Sequence, residues 1–186
     1  KGIMPSNIKL IEKTICKKAL YKGNAVNFNV DTVRLPNGKS ALREYLDHPG
    51  AVAVLPVLKN GDIVMVRQYR HPVAKTTWEL PAGKMHGKKD NPLKRAKAEL
   101  EEETGYRAGK FKKIVSFWPC CAFSSEVLHI YLAQGLKAGK PRPDEDEFLR
   151  VAAVPLKKAL SWIKSGKIKD SKTIIALQAR ALDRNA

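Results

Sequence analysis

Four glutamates, Glu99, Glu101, Glu102 and Glu103, are crowded together in a chain whose formal charge is +17. On a 3.6-residue period Glu99, Glu102 and Glu103 fall at i, i+3 and i+4, on one side of a helix and next to an apolar stripe of Leu93, Ala96 and Leu100. Like charges at that spacing repel by roughly 0.2–0.5 kcal/mol per pair. The repulsion grows as they approach a low-dielectric core boundary, so something must offset it. Two offsets are open: Arg95, one turn before Glu99, or divalent cations bridging the carboxylates. Hard oxygen clusters suit Mg²⁺ or Mn²⁺, which also bind phosphate oxygens. A solvated glutamate face laced with lysines is the plainer alternative.

The elements that must position these groups are readable on either side. Asn91 is a good N-cap and Pro92 suits the first helical position; a helix is expected over 93–104, stopped by Gly105. Upstream, residues 25–29 and 31–35 have strand character and Pro36, Asn37 and Gly38 supply a turn, predicting a small antiparallel sheet. His48, Pro49 and Gly50 punctuate. The nearly continuous apolar run 51–58 then fits a strand buried on both faces, and Asn60, Gly61 and Asp62 turn it into a second strand over 63–69. Downstream come strands over 113–117, 126–133 and 149–154, an acidic loop over 143–147, and helices over 156–165 and 171–182. Strands interspersed with helices argue for an α/β fold, a mixed sheet sandwiched by helices.

From Gly83 to Tyr106 the chain resembles the signature box of the Nudix hydrolases, G x5 E x7 R E U x E E x G U, with U a bulky apolar residue. Gly83, Glu99, Leu100, Glu102, Glu103 and Gly105 match, with Tyr106 in the last place. Strand, loop and helix are the context such a box requires. Two departures stand out. The stretch from Gly83 to Glu99 is one residue longer, placing Asp90, or less plausibly Lys89, where the first glutamate falls. Ala98 replaces the arginine before Glu99, which in the family orients a carboxylate; Arg95 is a candidate substitute from the preceding turn.

Outside the box, Arg43, Glu44, His48–Gly50, Arg67–Arg70, Trp78–Gly83 and the acidic loop 144–147 are similar to the subgroup that cleaves ADP-ribose and other nucleoside diphosphate sugars. The resemblance implies an α/β/α sandwich over 47–186, preceded by an N-terminal antiparallel sheet over 1–46 that serves homodimerisation and completes the neighbouring subunit's site. It further implies that the Ala82 carbonyl, Glu99 and Glu103 hold the principal Mg²⁺, with Glu102 assisting a second ion; Mn²⁺ stays open as the alternative ion. Arg70 would contact the diphosphate, and Arg43 and Glu44 would lie near the base or terminal ribose. Glu145 or Glu147 would orient or deprotonate the attacking water, and Glu126 would border the metal site. One subgroup mark is absent: Cys121 stands where members specialised for ADP-ribose carry a proline.

Composition bounds the rest. With 186 residues, 44% hydrophobic and 28% charged, the chain reads as one globular domain with a small appendage. No apolar run nears the roughly 20 residues that cross a bilayer. No signal-like stretch follows Lys1, and Cys16, Cys120 and Cys121 form no even disulfide framework, so a reducing cytoplasm is expected. With no base beside them, Cys120 and Cys121 read as buried small side chains. The excess of 35 basic over 18 acidic residues favours anions. It keeps open an RNA 5′ end or dinucleotide as substrate, although 7% aromatics without a basic–aromatic patch argues against nucleic acid. A third reading is a non-catalytic nucleotide-binding module, motivated by Ala98 and the lengthened loop. Lys157, Lys158, Lys164, Lys167, Lys169 and Lys172 read as solvated helical faces.

Overall fold

In the computed structural model, residues 10–24, 26–145 and 147–183 are described. Two compact units emerge: residues up to His48 with Cys120–Glu126, and Pro49–Pro119 with Val127 onward.

The first unit is an antiparallel sheet of β1 (Lys13–Cys16), β2 (Ala19–Lys22), β3 (Asn27–Arg34) and β4 (Ser40–Asp47). The expected pair of short strands is one strand, β3, which carries β1 and β2 along one edge and β4 along the other. Residue 25, where the first was expected to begin, lies outside the described residues. The turn after β3 is as read: Gly38 takes φ +84° and Asn37 Oδ1 accepts from Lys39 N at 3.0 Å. Leu46 of β4 pairs with Ser124, tying in the segment 120–126.

The second unit contains β5 (Ala51–Pro56), β6 (Ile63–Arg70), β7 (Lys75–Glu79), β8 (Ala82–Lys84), α1 (Pro92–Thr104), β9 (Arg107–Phe117), β10 (Leu128–Lys137), β11 (Leu149–Val154), α2 (Leu156–Lys164) and α3 (Ser171–Leu182). One sheet runs β8-β5-β10-β9, with β10 parallel to β5 and the other pairs antiparallel; the second runs β11-β6-β7, all antiparallel. Every residue of β5 is buried, for a reason visible in its alternation. Ala51, Ala53 and Leu55 enter one core, with Met65, Ile130, Ala176 and Leu177, whereas Val52 and Val54 enter another, with Ala96, Leu100 and Tyr131. A strand with a core on each face is apolar at every position, and these two cores make the α/β/α layering. No helix of the described residues is long and apolar enough to cross a membrane.

Two local expectations change. Leu93 is 36% exposed, so the buried face of α1 is Ala96, Leu100 and Thr104 together with two of the glutamates. Cys121 is exposed and Cys120 half-buried, because both sit in the turn after β9 rather than in a packed element.

Candidate active site

α1 is built by its ends. Asn91 Oδ1 accepts from Leu93 N and Lys94 N at 3.0 and 3.1 Å, Pro92 opens the helix without an orphaned N–H, and Gly105 closes it at φ +74°, donating to the Glu101 carbonyl. Asp90 sits in the preceding loop and accepts from His86 N at 3.2 Å and Asn91 N at 2.7 Å.

Opposite α1 the chain changes sheet. Glu79 ends β7 in one sheet and Ala82 begins β8 in the other, with Val54 N donating to the Pro81 carbonyl across the join. Glu99 and Glu103, one turn apart, project onto this crossing and are 3% and 2% exposed. Glu103 Oε2 accepts from Ala82 N at 3.2 Å. The Glu99 carboxylate lies so close to the α-carbon of Gly83 that no side chain fits there. Burial first, then Glu99 and Glu147, push the Glu103 carboxyl up to about 8. Burial, Glu102 and Glu147 push Glu99 up to about 7, against the downward pull of Arg95. Glu147, in the acidic loop, is among the charges that raise both buried carboxylates. Glu145 is exposed in the same loop.

Glu102 lies at the edge of the cluster, its side chain 42% exposed. Arg95 bridges it to Glu99, with Nη1 at 3.3 Å from Glu102 Oε2 and Nη2 at 2.5 Å from Glu99 Oε1. Glu101 faces away, paired with Arg107.

Arg70, at the end of β6, donates from Nε and Nη2 to Glu79 at 2.9 and 2.8 Å, within electrostatic range of Glu103. Glu79 was legible only as part of a motif, and the group that fixes it was missed. Lys172 is not on a solvated face: it is buried, donating to Glu79 Oε2 at 2.6 Å and to Asp170 Oδ1 at 2.8 Å. Asp170 also caps α3 through Thr173 N, and Thr173 Oγ1 accepts from Leu80 N at 2.9 Å. Burial raises the Glu79 carboxyl, but Arg70, Lys172 and Thr77 outweigh it and hold the group at about 2. No local pattern marks a contact spanning 93 residues of chain. A cavity of about 490 Å³ opens beside Arg70, with Lys75, Lys167, Lys169 and Lys172 in its lining.

Arg43, Glu44 and Glu126 belong to the N-terminal unit. Arg43 is paired with Glu12, its Nε at 2.8 Å from Oε2, and Glu44 is exposed on β4. Glu126 N donates to Ser124 Oγ at 3.2 Å, and its carboxylate lies 3.8 Å from His48 Nδ1.

The donors around Ala82 suit a divalent cation. Two buried carboxylates face one crossing, the Glu99 carboxylate fills the space that a side chain at Gly83 would take, and Glu99 Oε1, though ion-paired, receives no hydrogen bond. Among the described residues no group of three or more His, Cys, Asp or Glu side chains is arranged to hold a metal ion by itself.

Comparison with known proteins defines the class. The NUDIX domain matches residues 47–177, and the chain belongs to that family. It is 45% identical over 171 residues to the ADP-ribose pyrophosphatase of Bacillus subtilis (strain 168), spanning 91% of this chain and 92% of that one. It is 44% identical over 169 residues to the methanol dehydrogenase activator of Bacillus methanolicus, spanning 90% and 91%. The same fold occurs in a crystal structure of an ADP compounds hydrolase, with TM-score 0.79 at 16% identity, covering 91% of this chain and 92% of that one.

Proposed function

We propose that this chain is a pyrophosphatase of nucleoside diphosphate sugars, ADP-ribose foremost, using Mg²⁺ as its working ion with Mn²⁺ as a substitute. Water attacks one phosphorus of the diphosphate, the bridging P–O bond breaks with its electron pair on the departing phosphate, and a nucleoside monophosphate and a sugar phosphate result. The observation that carries this reading is the pair of buried carboxylates, Glu99 and Glu103, aimed at the Ala82–Gly83 crossing within electrostatic reach of Glu147.

In this reading Glu99, Glu103 and the Ala82 carbonyl hold the principal ion, and Glu102 assists a second. A bound divalent ion supplies charge neutralisation on the diphosphate and a lower pKa for the attacking water. Glu147 accepts the water's proton, from a loop whose Arg142 N is anchored on the Glu102 carbonyl at 2.8 Å. Arg70, braced by Glu79 and Lys172, binds the diphosphate, and the cationic cavity beside it favours anionic substrate. Arg43 and Glu44 take the base or terminal ribose, Glu126 borders the metal site, and the N-terminal sheet serves a homodimer in which it completes the neighbouring subunit's site. The exposed Ile15, Leu20, Tyr21 and Leu42 of that sheet support the dimer. Three free thiols suit a reducing cytoplasm.

The test is product release from ADP-ribose, ADP-glucose, GDP-mannose, UDP-glucose, a diadenosine polyphosphate and a 5′-triphosphate RNA, with Mg²⁺ and with chelator. Metal-dependent cleavage confined to nucleotide sugars is expected; turnover of RNA or dinucleotides instead would overturn the substrate class. The 44% identity to a methanol dehydrogenase activator favours a second reading, action on a dehydrogenase. Adding the chain to an alcohol dehydrogenase assay, with and without Mg²⁺, decides that reading.

A further inference from the structure

We propose that Arg95 is the positioning residue of the carboxylate cluster, bridging Glu99 and Glu102 so that both are held ready for the divalent ion; the inference rests on the metal-binding reading of Glu99. An ordinary Arg–Glu pair one turn apart is a solvent-exposed contact between two long, mobile side chains. This one differs in three respects. The Arg95 side chain is 17% exposed and that of Glu99 only 4%, so the pair is largely out of water. One guanidinium serves two carboxylates, through Nη2 to Glu99 Oε1 at 2.5 Å and Nη1 to Glu102 Oε2 at 3.3 Å. Its buried Nε makes no hydrogen bond, so the guanidinium is placed by the two carboxylates and not by the best use of its own donors.

The planar fork of arginine is what makes the bridge possible, because its two terminal nitrogens diverge at a fixed angle and set the separation of the groups they bind. The Glu99 carboxylate is packed against the α-carbon of Gly83 and is ion-paired with Arg95 through the same Oε1, so backbone and guanidinium together fix where it sits. Ala98, the residue before Glu99, contributes no cation, which leaves this task to the preceding turn. Arg95 therefore acts through Glu99 and Glu102, without itself needing to touch substrate.

The experiment is Mn²⁺ binding to the full chain without substrate, followed by the electron paramagnetic resonance of free Mn²⁺, alongside kcat and KM for ADP-ribose. The variants are Arg95→Gln, Arg95→Lys and Glu99→Gln. Partners that orient a metal ligand are worth roughly 10–100-fold in affinity or activity. Arg95→Gln is expected to lose that much Mn²⁺ affinity and kcat with KM little changed, and Arg95→Lys, which reaches one carboxylate but not both, to fall between. Glu99→Gln loses Mn²⁺ binding if the metal reading stands. Wild-type Mn²⁺ affinity in Arg95→Gln beside a loss in Glu99→Gln overturns the role of Arg95 alone. Wild-type affinity in Glu99→Gln overturns the metal reading and this inference with it. If Arg95→Gln fails to fold, Arg95→Lys decides, since wild-type affinity and kcat in that variant exclude the two-pronged bridge.

Discussion

The α-carbon of Gly83 is packed directly against the carboxylate of Glu99, so that a β-carbon at residue 83 would stand 1.5 Å from Oε1 and 2.1 Å from the carboxyl carbon. The glycine is required by close approach, since its φ is not in the left-handed region. Gly83→Ala should therefore drive Glu99 out of its position. The expected outcome is loss of Mn²⁺ binding and turnover with circular dichroism close to that of the parent; retention of both would mean that the helix shifts to make room.

Glu103 is the most strongly perturbed carboxylate of the cluster. Replacing it by Gln keeps the volume and can still accept a hydrogen bond from Ala82 N, but removes the charge that a divalent ion needs. Turnover of ADP-ribose should fall by more than about 100-fold while the thermal midpoint without metal is retained or raised. A wild-type rate at saturating Mg²⁺ would remove Glu103 from the metal site.

The pH dependence of the metal-free protein has a definite sign. Glu99 and Glu103 have an ordinary value of 4.5 but stand at about 7 and about 8 when folded. Between 4.5 and those values the folded chain keeps protons that the unfolded chain has released, so stability falls as pH rises through that interval. Melting curves in chelator from pH 5 to about 8.5 should decline, Glu103→Gln should flatten them, and divalent metal should restore more at the alkaline end, where it no longer competes with a proton.

Glu147 and Glu145 should part company. A positioned general base contributes about 100- to 10,000-fold, so Glu147→Gln is expected to lower kcat within that range, whereas Glu145→Gln changes it a few-fold at most. Steady-state kinetics on both variants at one Mg²⁺ concentration suffices, and equal, negligible effects would take the acidic loop out of the mechanism.

Lys172→Met breaks a buried ion pair and leaves Glu79 leaning on Arg70 and Thr77 alone. Removing one partner of such a pair costs about 3–5 kcal/mol, and urea unfolding at pH 7 should show a loss of that order. The Glu79 carboxyl is depressed to about 2, so its stabilisation is complete above 4.5 and disappears as pH falls toward 2. The deficit of the variant should shrink over the same interval. KM for ADP-ribose should rise, because Arg70 loses part of its brace.

What the sequence alone determined is what depends on near neighbours in the chain. Asn91, Pro92 and Gly105 bound the box helix through hydrogen bonds and dihedral preferences that act within four residues, and a 3.6-residue period places Glu99 and Glu103 on one face whatever surrounds them. The unbroken apolar run after Gly50 announced a strand between two cores, because only such a strand has no polar side. Tertiary structure decided which glutamates are buried, since burial depends on where β8 crosses toward α1 and not on helical phase alone. It also decided that Lys172 and Glu79 meet across 93 residues to brace Arg70. Such pairings arise from the stacking of separate layers, where a carboxylate and an ammonium far apart in the chain come within hydrogen-bonding distance. Nothing in the residues flanking either one records the other's position.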